Sequence, residues 1–379
     1  MNKEKHTTKI FFTQTLNSII SGMLTILIPL LMIERNIDVV TIGFVFAAMP
    51  FVFQTIRLLF GAISDIIGRK IFFVLNSLLN IIVLIIYSIA ATPLIFLSGK
   101  ITEGVKDASI WSVNRASLLD FREDKRGILA KFIGMTHIAS AIGNIAAGFL
   151  ILWLSYTNTI ILAIFLAILS VPAALSLKIK KTGRFRKLKI KQILDKIDIR
   201  KKDNRFKKFT LLSLINGLTM GFVTGYIFPV FLNENGFGVE IIGLILGLNV
   251  LLIGVSSIVT RKVEIKKLIL YGGILYSLSL LFLGFSGGLL AAAMILVVGV
   301  TRGFNHGISA AIMSEMSHMK SYAGDVGILT IGLHMGRAIT FAVSGIIITY
   351  FGFFGAFATA AIIYSLYFSL VYFEFKKMG

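Results

Sequence analysis

Apolar residues in this chain come in long runs separated by short polar breaks, and the runs recur with similar length from end to end. Read over a window of about 19 residues, the length that carries a helix across the hydrocarbon core, they predict membrane spans. Twelve are placed, at about 10–33, 40–60, 71–92, 94–114, 128–153, 157–177, 209–232, 239–260, 268–287, 289–313, 326–350 and 351–373. Strand-type alternation is missing from these runs, and a helix satisfies its own backbone hydrogen bonds in lipid. The expected fold class is therefore an all-α membrane protein. The first run continues past Pro29, with no small-residue cleavage site, so it reads as a retained span and not as a signal peptide.

Composition agrees with that pattern. Of the 379 residues, 56% are hydrophobic and 15% charged, with a mean hydropathy of +0.88. A soluble domain carries about a quarter charged residues. Cysteine is absent, which excludes disulfides, thiolate catalysis and cysteine metal sites. No cofactor or metal is expected.

A net charge of +20 would point to nucleic acid in a soluble protein, but the placement of the charge excludes it. Of the 38 Lys and Arg, Arg57, Lys100, Lys106, Arg302 and Arg337 fall well inside spans and Arg35 falls in a loop of the opposite side. The rest occupy the N-terminus, every second loop and the tail, while the alternate loops carry almost none. That asymmetry predicts both termini in the cytoplasm, a multi-pass location in the cell membrane and an even number of spans.

The two halves repeat. Pro29, Glu34, Val39, Ile42 and Gly43 recur 200 positions later as Pro229, Glu234, Val239, Ile242 and Gly243. His137, Ala141, Ile142 and Gly148 recur 197 positions later as His334, Ala338, Ile339 and Gly345. Six spans per half enter the membrane in the same sense, so two six-helix bundles (residues 1–177 and 209–379) are expected to be related by a pseudo-twofold axis along the membrane normal, with substrate between them. The linker, 178–208, holds fifteen Lys and Arg against Asp195, Asp198 and Asp203. Ile190, Ile193, Leu194 and Ile197 fall at helical spacing within it, so membrane lipid is an expected contact.

Between the second and third spans stands Gly61-Ala-Ile-Ser-Asp65-Ile-Ile-Gly68-Arg69-Lys70, the pattern G-x-x-x-D-x-x-G-R-K. Gly61 is expected to allow close helix approach and Gly68 to permit the turn, with Asp65 capping or pairing and Arg69 and Lys70 anchoring the corner to the cytoplasmic face. The pattern resembles the signature loop of the major facilitator superfamily, and with twelve spans and a long central loop the resemblance extends over essentially the whole chain. It implies a V-shaped transporter that alternates between inward- and outward-open states. It also implies that Asp65 latches the outward-facing state, with Arg115 as its partner. The second-half counterpart, near Gly254–Lys267, keeps Arg261, Lys262, Lys266 and Lys267 but no acid that matches Asp65.

Span four carries Lys100, Glu103, Lys106 and Asp107. Each ionisable residue inside a span costs at least ~2.5–3.5 kcal/mol on insertion scales, so four on one helix require an internal face. At about 100° per residue, Lys100, Glu103 and Asp107 lie within about 60° of one another with Lys106 beside them. Two readings stay open: the carboxylates share a proton, or the lysines neutralise them. Lys100-x-x-Glu103-Gly104 is similar to the family motif R-x-x-Q-G, associated with proton coupling, and departs from it at both polar positions. Span five, where the family's antiporter motif ends G-P-x-x-G-G, reads Gly143-Asn144-Ile145-Ala146-Ala147-Gly148, without the kinking proline.

In the second half, Arg302 and His306 share a face of span ten, and His334 and Arg337 a face of span eleven. The intramembrane excess of base over acid favours an anionic substrate group, or protons as coupling ions. Gln14, Asn17, His137, Asn216 and Tyr226 are expected to line the cavity or to join helices. The expected function is secondary transport of a small organic solute, an organic anion or metabolite favoured and proton coupling expected, with multidrug/proton efflux or a non-transporting sensor as alternatives. No nucleotide-binding loop, H-E-x-x-H or G-x-S-x-G occurs, which argues against ATP drive and against an enzyme.

Overall fold

The structure, a computed structural model, describes residues 3–119, 125–177, 199–316 and 322–377. The linker segment 178–198, with its expected amphipathic stretch, and the side chains of Asp65 and Arg115 lie outside the described residues. Among the described residues every regular element is helical: α1 Lys3–Glu34, α2 Val39–Ile67, α3 Lys70–Ser88, α4 Pro93–Trp111, α5 Asn114–Leu119, α6 Lys125–Leu175, α7 Asn204–Phe222, α8 Ile227–Glu234, α9 Val239–Val259, α10 Gly273–Gly284, α11 Gly288–Met316 and α12 Tyr322–Lys376. A short turn, Ile265–Lys267, and a π-helical stretch, Leu268–Gly272, lead into α10.

Nine helices among the described residues are long and apolar enough to cross a membrane. Two of these stretches, 45 and 52 residues long, exceed what one crossing needs. Each breaks at one residue: α6 at Ser155 (φ 75°, ψ 168°) and α12 at Gly352 (φ 65°, ψ −175°). These breaks lie 197 positions apart, the offset of the His137/His334 repeat. Helix α4 stands outside the nine because its four charges interrupt the apolar run.

The repeat extends to backbone detail. At the end of α1, Asn36 takes a positive φ of 56°, and Gly236 takes 80° at the end of α8. In both turns the same two bonds close the helix: Asn36 N–H to the Ile33 carbonyl and Ile37 N–H to Met32, then Gly236 N–H to Asn233 and Phe237 N–H to Leu232. This is the Schellman closure, in which a left-handed residue satisfies the last carbonyls. Asp38 then caps α2, accepting from the Thr41 amide at 2.9 Å and the Thr41 hydroxyl at 2.6 Å. The Thr41 hydroxyl, then the Thr41 amide, holds the Asp38 carboxyl below its ordinary value.

The chain groups into two compact units, Met1–Ile28 with Ala48–Asp198, and Pro29–Ala47 with Ile199–Gly379. Within the first, α1 and α6 meet backbone to backbone: a Cβ on Gly22 would strike the Ser140 carbonyl, and one on Gly143 the Ile19 carbonyl. Within the second, α7 and α12 do the same, with Gly217 against the Leu333 carbonyl and Gly336 against Leu214. Lipid offers no hydrophobic drive between helices, so such small-residue contacts supply the packing. Asn144 lies in unbroken helix, as the missing proline predicts.

One expectation at the corner between α2 and α3 is corrected. Gly68 does make the turn, at φ 97°. Gly61, however, makes no close approach to any described residue, since among these nothing lies within 4 Å of where its Cβ would be. Ser64 returns its hydroxyl to the Gly61 carbonyl at 2.8 Å.

Candidate functional site

In the first unit the α4 charges resolve into two pairs. Lys100 Nζ meets Glu103 Oε2 at 2.8 Å, and Lys106 Nζ meets Asp107 Oδ1 at 3.0 Å. Each carboxylate therefore has its own lysine, and the cluster is balanced. Tyr87 of α3 donates to the same Glu103 oxygen at 2.8 Å, and its ring lies 5.8 Å from Lys100 Nζ. Gly99 leaves the space that the Tyr87 ring fills. Lys106 is fully buried, reaches Ser21 Oγ of α1 at 3.4 Å, and its carbonyl accepts from Asn76 Nδ2 at 3.0 Å. Of the four side chains Asp107 is the most exposed, at 13%, against 0% for Lys106.

Around the charges runs a set of buried amides. Asn80 Nδ2 donates to Asn17 Oδ1 at 3.0 Å, Asn114 Nδ2 to Gln14 Oε1 at 3.3 Å, and Gln14 Nε2 to Ser18 Oγ at 3.2 Å. Gln14 and Asn17, expected to line a cavity or to join helices, are buried in these helix-joining bonds. His137 is half-buried on α6.

In the second unit the helix of the seventh run is broken. Helix α7 stops at Phe222, and α8 begins at Ile227, with Gly225 at φ 62° between them. The break leaves the Val223 carbonyl outside the helix ladder, and Arg302 Nη1 of α11 donates to it at 3.3 Å. Unwound backbone inside a span is tolerated where protein groups take up the freed carbonyls. Tyr226 closes the break: its hydroxyl shares a 2.8 Å bond with Ser344, and its ring packs on Phe46 and Phe341.

A polar chain runs on from Arg302. One turn along α11, Asn305 Nδ2 donates to Asn216 Oδ1 at 2.9 Å, Asn216 Nδ2 to Ser309 Oγ at 3.2 Å, and the Tyr364 hydroxyl to Asn305 Oδ1 at 3.0 Å. The Tyr276 and Tyr364 rings meet edge to face at 4.5 Å. Beside Asn216 and Ser309 a cavity of about 20 Å³ has room for a single water. His306 and His334 are half-buried, and the Arg337 guanidinium lies 5.7 Å from the Phe341 ring centroid.

The residues that sequence reasoning missed are Tyr87, Tyr276, Tyr364, Asn76, Asn80 and Asn305. Each is a polar group in an apolar run: Tyr87 holds a carboxylate, Asn80, Asn305 and Tyr364 hold amide side chains, Asn76 holds a backbone carbonyl, and Tyr276 stacks on Tyr364. The register of the repeat also sharpens. Gly104 packs on the Met49 carbonyl and Val52, and Gly303 on the Ile253 carbonyl and Ser256. Aligning these glycines sets Glu103 opposite Arg302 in the repeat, and Lys106 opposite Asn305, so the two units carry different charge at equivalent positions.

The comparisons with known proteins agree with this architecture. A search of curated proteins found no match. The solved structure of a nucleoside transporter, NupG, is similar to this chain at a TM-score of 0.75 and 16% identity, covering 100% of this chain and 99% of that one. A point mutant of NupG gives 0.77 and 15%, covering 98% and 99%. The human organic anion transporter MFSD10 (TETRAN) gives 0.70 and 13%, covering 98% and 100%. The sequence profile described as Major Facilitator Superfamily matches residues 10–324. The chain therefore belongs to the Major Facilitator Superfamily of membrane transporters and is not an enzyme.

Proposed function

We propose that this protein is a secondary active transporter of a small organic solute, driven by protons and working by alternating access. The observation that carries the reading is the buried, charge-balanced α4 cluster, Lys100–Glu103 and Lys106–Asp107. Two carboxylates held by lysines in a span have no structural need that apolar residues could not meet, since a buried pair is often no more stabilising than well-packed hydrophobic side chains. Protonation of one carboxylate changes the balance of the cluster, and Asp107, the most exposed member, is the entry point.

An organic anion is the favoured solute class. The interior of the second unit contributes Arg302 and Arg337, and the acids described there, Glu315 and Asp325 among them, sit at helix ends. The likeness to an organic anion transporter accords with this class, while the likeness to a nucleoside transporter allows a neutral metabolite. Multidrug efflux is the second reading. It is disfavoured because Asn144 stands where the antiporter motif has proline and α6 runs through it unbroken.

We read the chain as twelve spans in bundles 1–177 and 209–379, in the cell membrane with both termini cytoplasmic and the basic linker 178–208 against anionic lipid. Asp65 is the gating residue and Arg115 its partner. The test is uptake by the purified protein in proteoliposomes under an imposed pH gradient, with a panel of radiolabelled organic acids and nucleosides. Accumulation that collapses with a protonophore is expected; binding without flux of any solute points instead to a sensor.

A further inference from the structure

The break between α7 and α8 gathers polar groups that the packing leaves without partners. Arg302 Nη1 is used on the Val223 carbonyl, but Arg302 Nε, shut off from solvent, has no hydrogen-bond partner among the described residues. The Nε edge is the side of a guanidinium that meets a carboxylate with two parallel bonds. Tyr276 is fully buried and within electrostatic reach of Arg302, and its hydroxyl also lacks a partner among the described residues. Its ring is fixed by Tyr364, which is tied in turn to Asn305, one turn from Arg302. Thr219, one helical turn before Val223 on α7, is likewise fully buried with an unpartnered hydroxyl. Buried polar groups left unmatched cost roughly 1–3 kcal/mol each, and native structures contain few. Two such hydroxyls beside an arginine whose own Nε is unmatched mark a place where a partner belongs.

The chemistry of the set defines that partner. The arginine and its Nε edge are donors, and both hydroxyls are able to donate. The only charge is positive, and each acidic residue described in this unit lies at a helix end, Glu315 at the end of α11 and Asp325 in the first turn of α12. From this geometry we infer that Arg302, Tyr276 and Thr219 form a subsite for the carboxylate of a small organic monoacid. One charge and three or four donors suit a monocarboxylate and fall short of a phosphate dianion. The Arg302–Val223 bond holds the guanidinium so that its Nε edge faces the acceptor. The inference rests on the transport reading for its purpose, but the subsite stands or falls on binding alone.

The experiment uses the full chain purified in detergent. Its unfolding midpoint is followed during titration with acetate, lactate and benzoate, each beside the matching neutral amide. At least one carboxylate raises the midpoint of the wild-type protein while its amide leaves it in place. Tyr276→Phe keeps the ring and weakens that carboxylate's affinity about tenfold with the ligand-free midpoint unchanged, Thr219→Val weakens it less, and Arg302→Gln abolishes it. Should Arg302→Gln fail to fold, the Tyr276→Phe result decides alone. The subsite is overturned if none of the three carboxylates shifts the midpoint, if the amides act as well as the acids, or if Tyr276→Phe and Thr219→Val bind as wild type does. Proteoliposome flux separates the two claims. Proton-driven flux with no carboxylate effect removes the subsite and leaves transport standing, and carboxylate binding without flux of any solute does the reverse.

Discussion

Replacing Glu103 with Gln tests whether the α4 cluster is an electrostatic unit. The substitution keeps size and removes charge. It leaves Lys100, buried to 5% side-chain exposure, without the carboxylate 2.8 Å away. Breaking one side of a buried ion pair costs about 3–5 kcal/mol, because the remaining charge is desolvated with nothing to offset it. The Tyr87 hydroxyl, 2.8 Å from Glu103, also exchanges a charged acceptor for a neutral one. A hydrogen bond to a charged group contributes about 1.5–3 kcal/mol, about twice a neutral one, so part of that is lost as well. The double variant Lys100→Met with Glu103→Leu removes both charges together, and such apolar replacements are often neutral. Equilibrium unfolding of the wild type, Lys100→Met, Glu103→Leu and the double variant in detergent measures the coupling. A single variant lower by several kcal/mol and a double variant restored to within about 1 kcal/mol is expected. Function is read in proteoliposomes, where Glu103→Gln and Asp107→Asn are both expected to lose pH-driven accumulation and to retain downhill flux. A double variant as unstable as the single one refutes the pairing argument. Unaltered pH-driven accumulation in both carboxylate variants refutes coupling at α4.

Three further outcomes are expected. Asp65→Asn slows transport while leaving insertion intact, and unchanged flux at normal expression removes Asp65 from gating. Ile190→Cys, in a chain with no native cysteine, is labelled by an impermeant maleimide only after the membrane is opened; labelling in intact cells reverses the assigned topology. Asp38→Ala removes the α2 cap, a substitution that costs about 1 kcal/mol in typical helices. Because Thr41 lowers the Asp38 carboxyl in the folded chain, this contribution is full above the ordinary value of 3.8 and is lost as pH falls through the lower folded value. The stability gap between wild type and Asp38→Ala is therefore constant from pH 7 to about 5 and narrows only below that ordinary value; a gap that widens on acidification contradicts the assigned direction.

Hydropathy alone placed the helices, because a backbone in lipid has few alternatives to the helix and the apolar runs have the length of one crossing. The repeat was also legible. Pro29 and Pro229 announced an offset that the Schellman turns at Asn36 and Gly236 reproduce, since the same local sequence closes the same way in both halves. The charged span was visible from Lys100, Glu103, Lys106 and Asp107, because four charges in an apolar run are costly wherever they point. Which lysine takes which carboxylate was not visible. Helical periodicity puts all four on adjoining faces, and the choice depends on Tyr87 of α3 and Ser21 of α1, which reach α4 only through packing. Gly61 shows the same limit from the other side, since a glycine permits a close approach without supplying the neighbour. The break at Val223–Tyr226 lies inside a run that hydropathy reads as continuous. Its cause is tertiary: Arg302, from a helix nearly eighty residues later, takes the carbonyl that the break releases, and only the folded unit brings the two together.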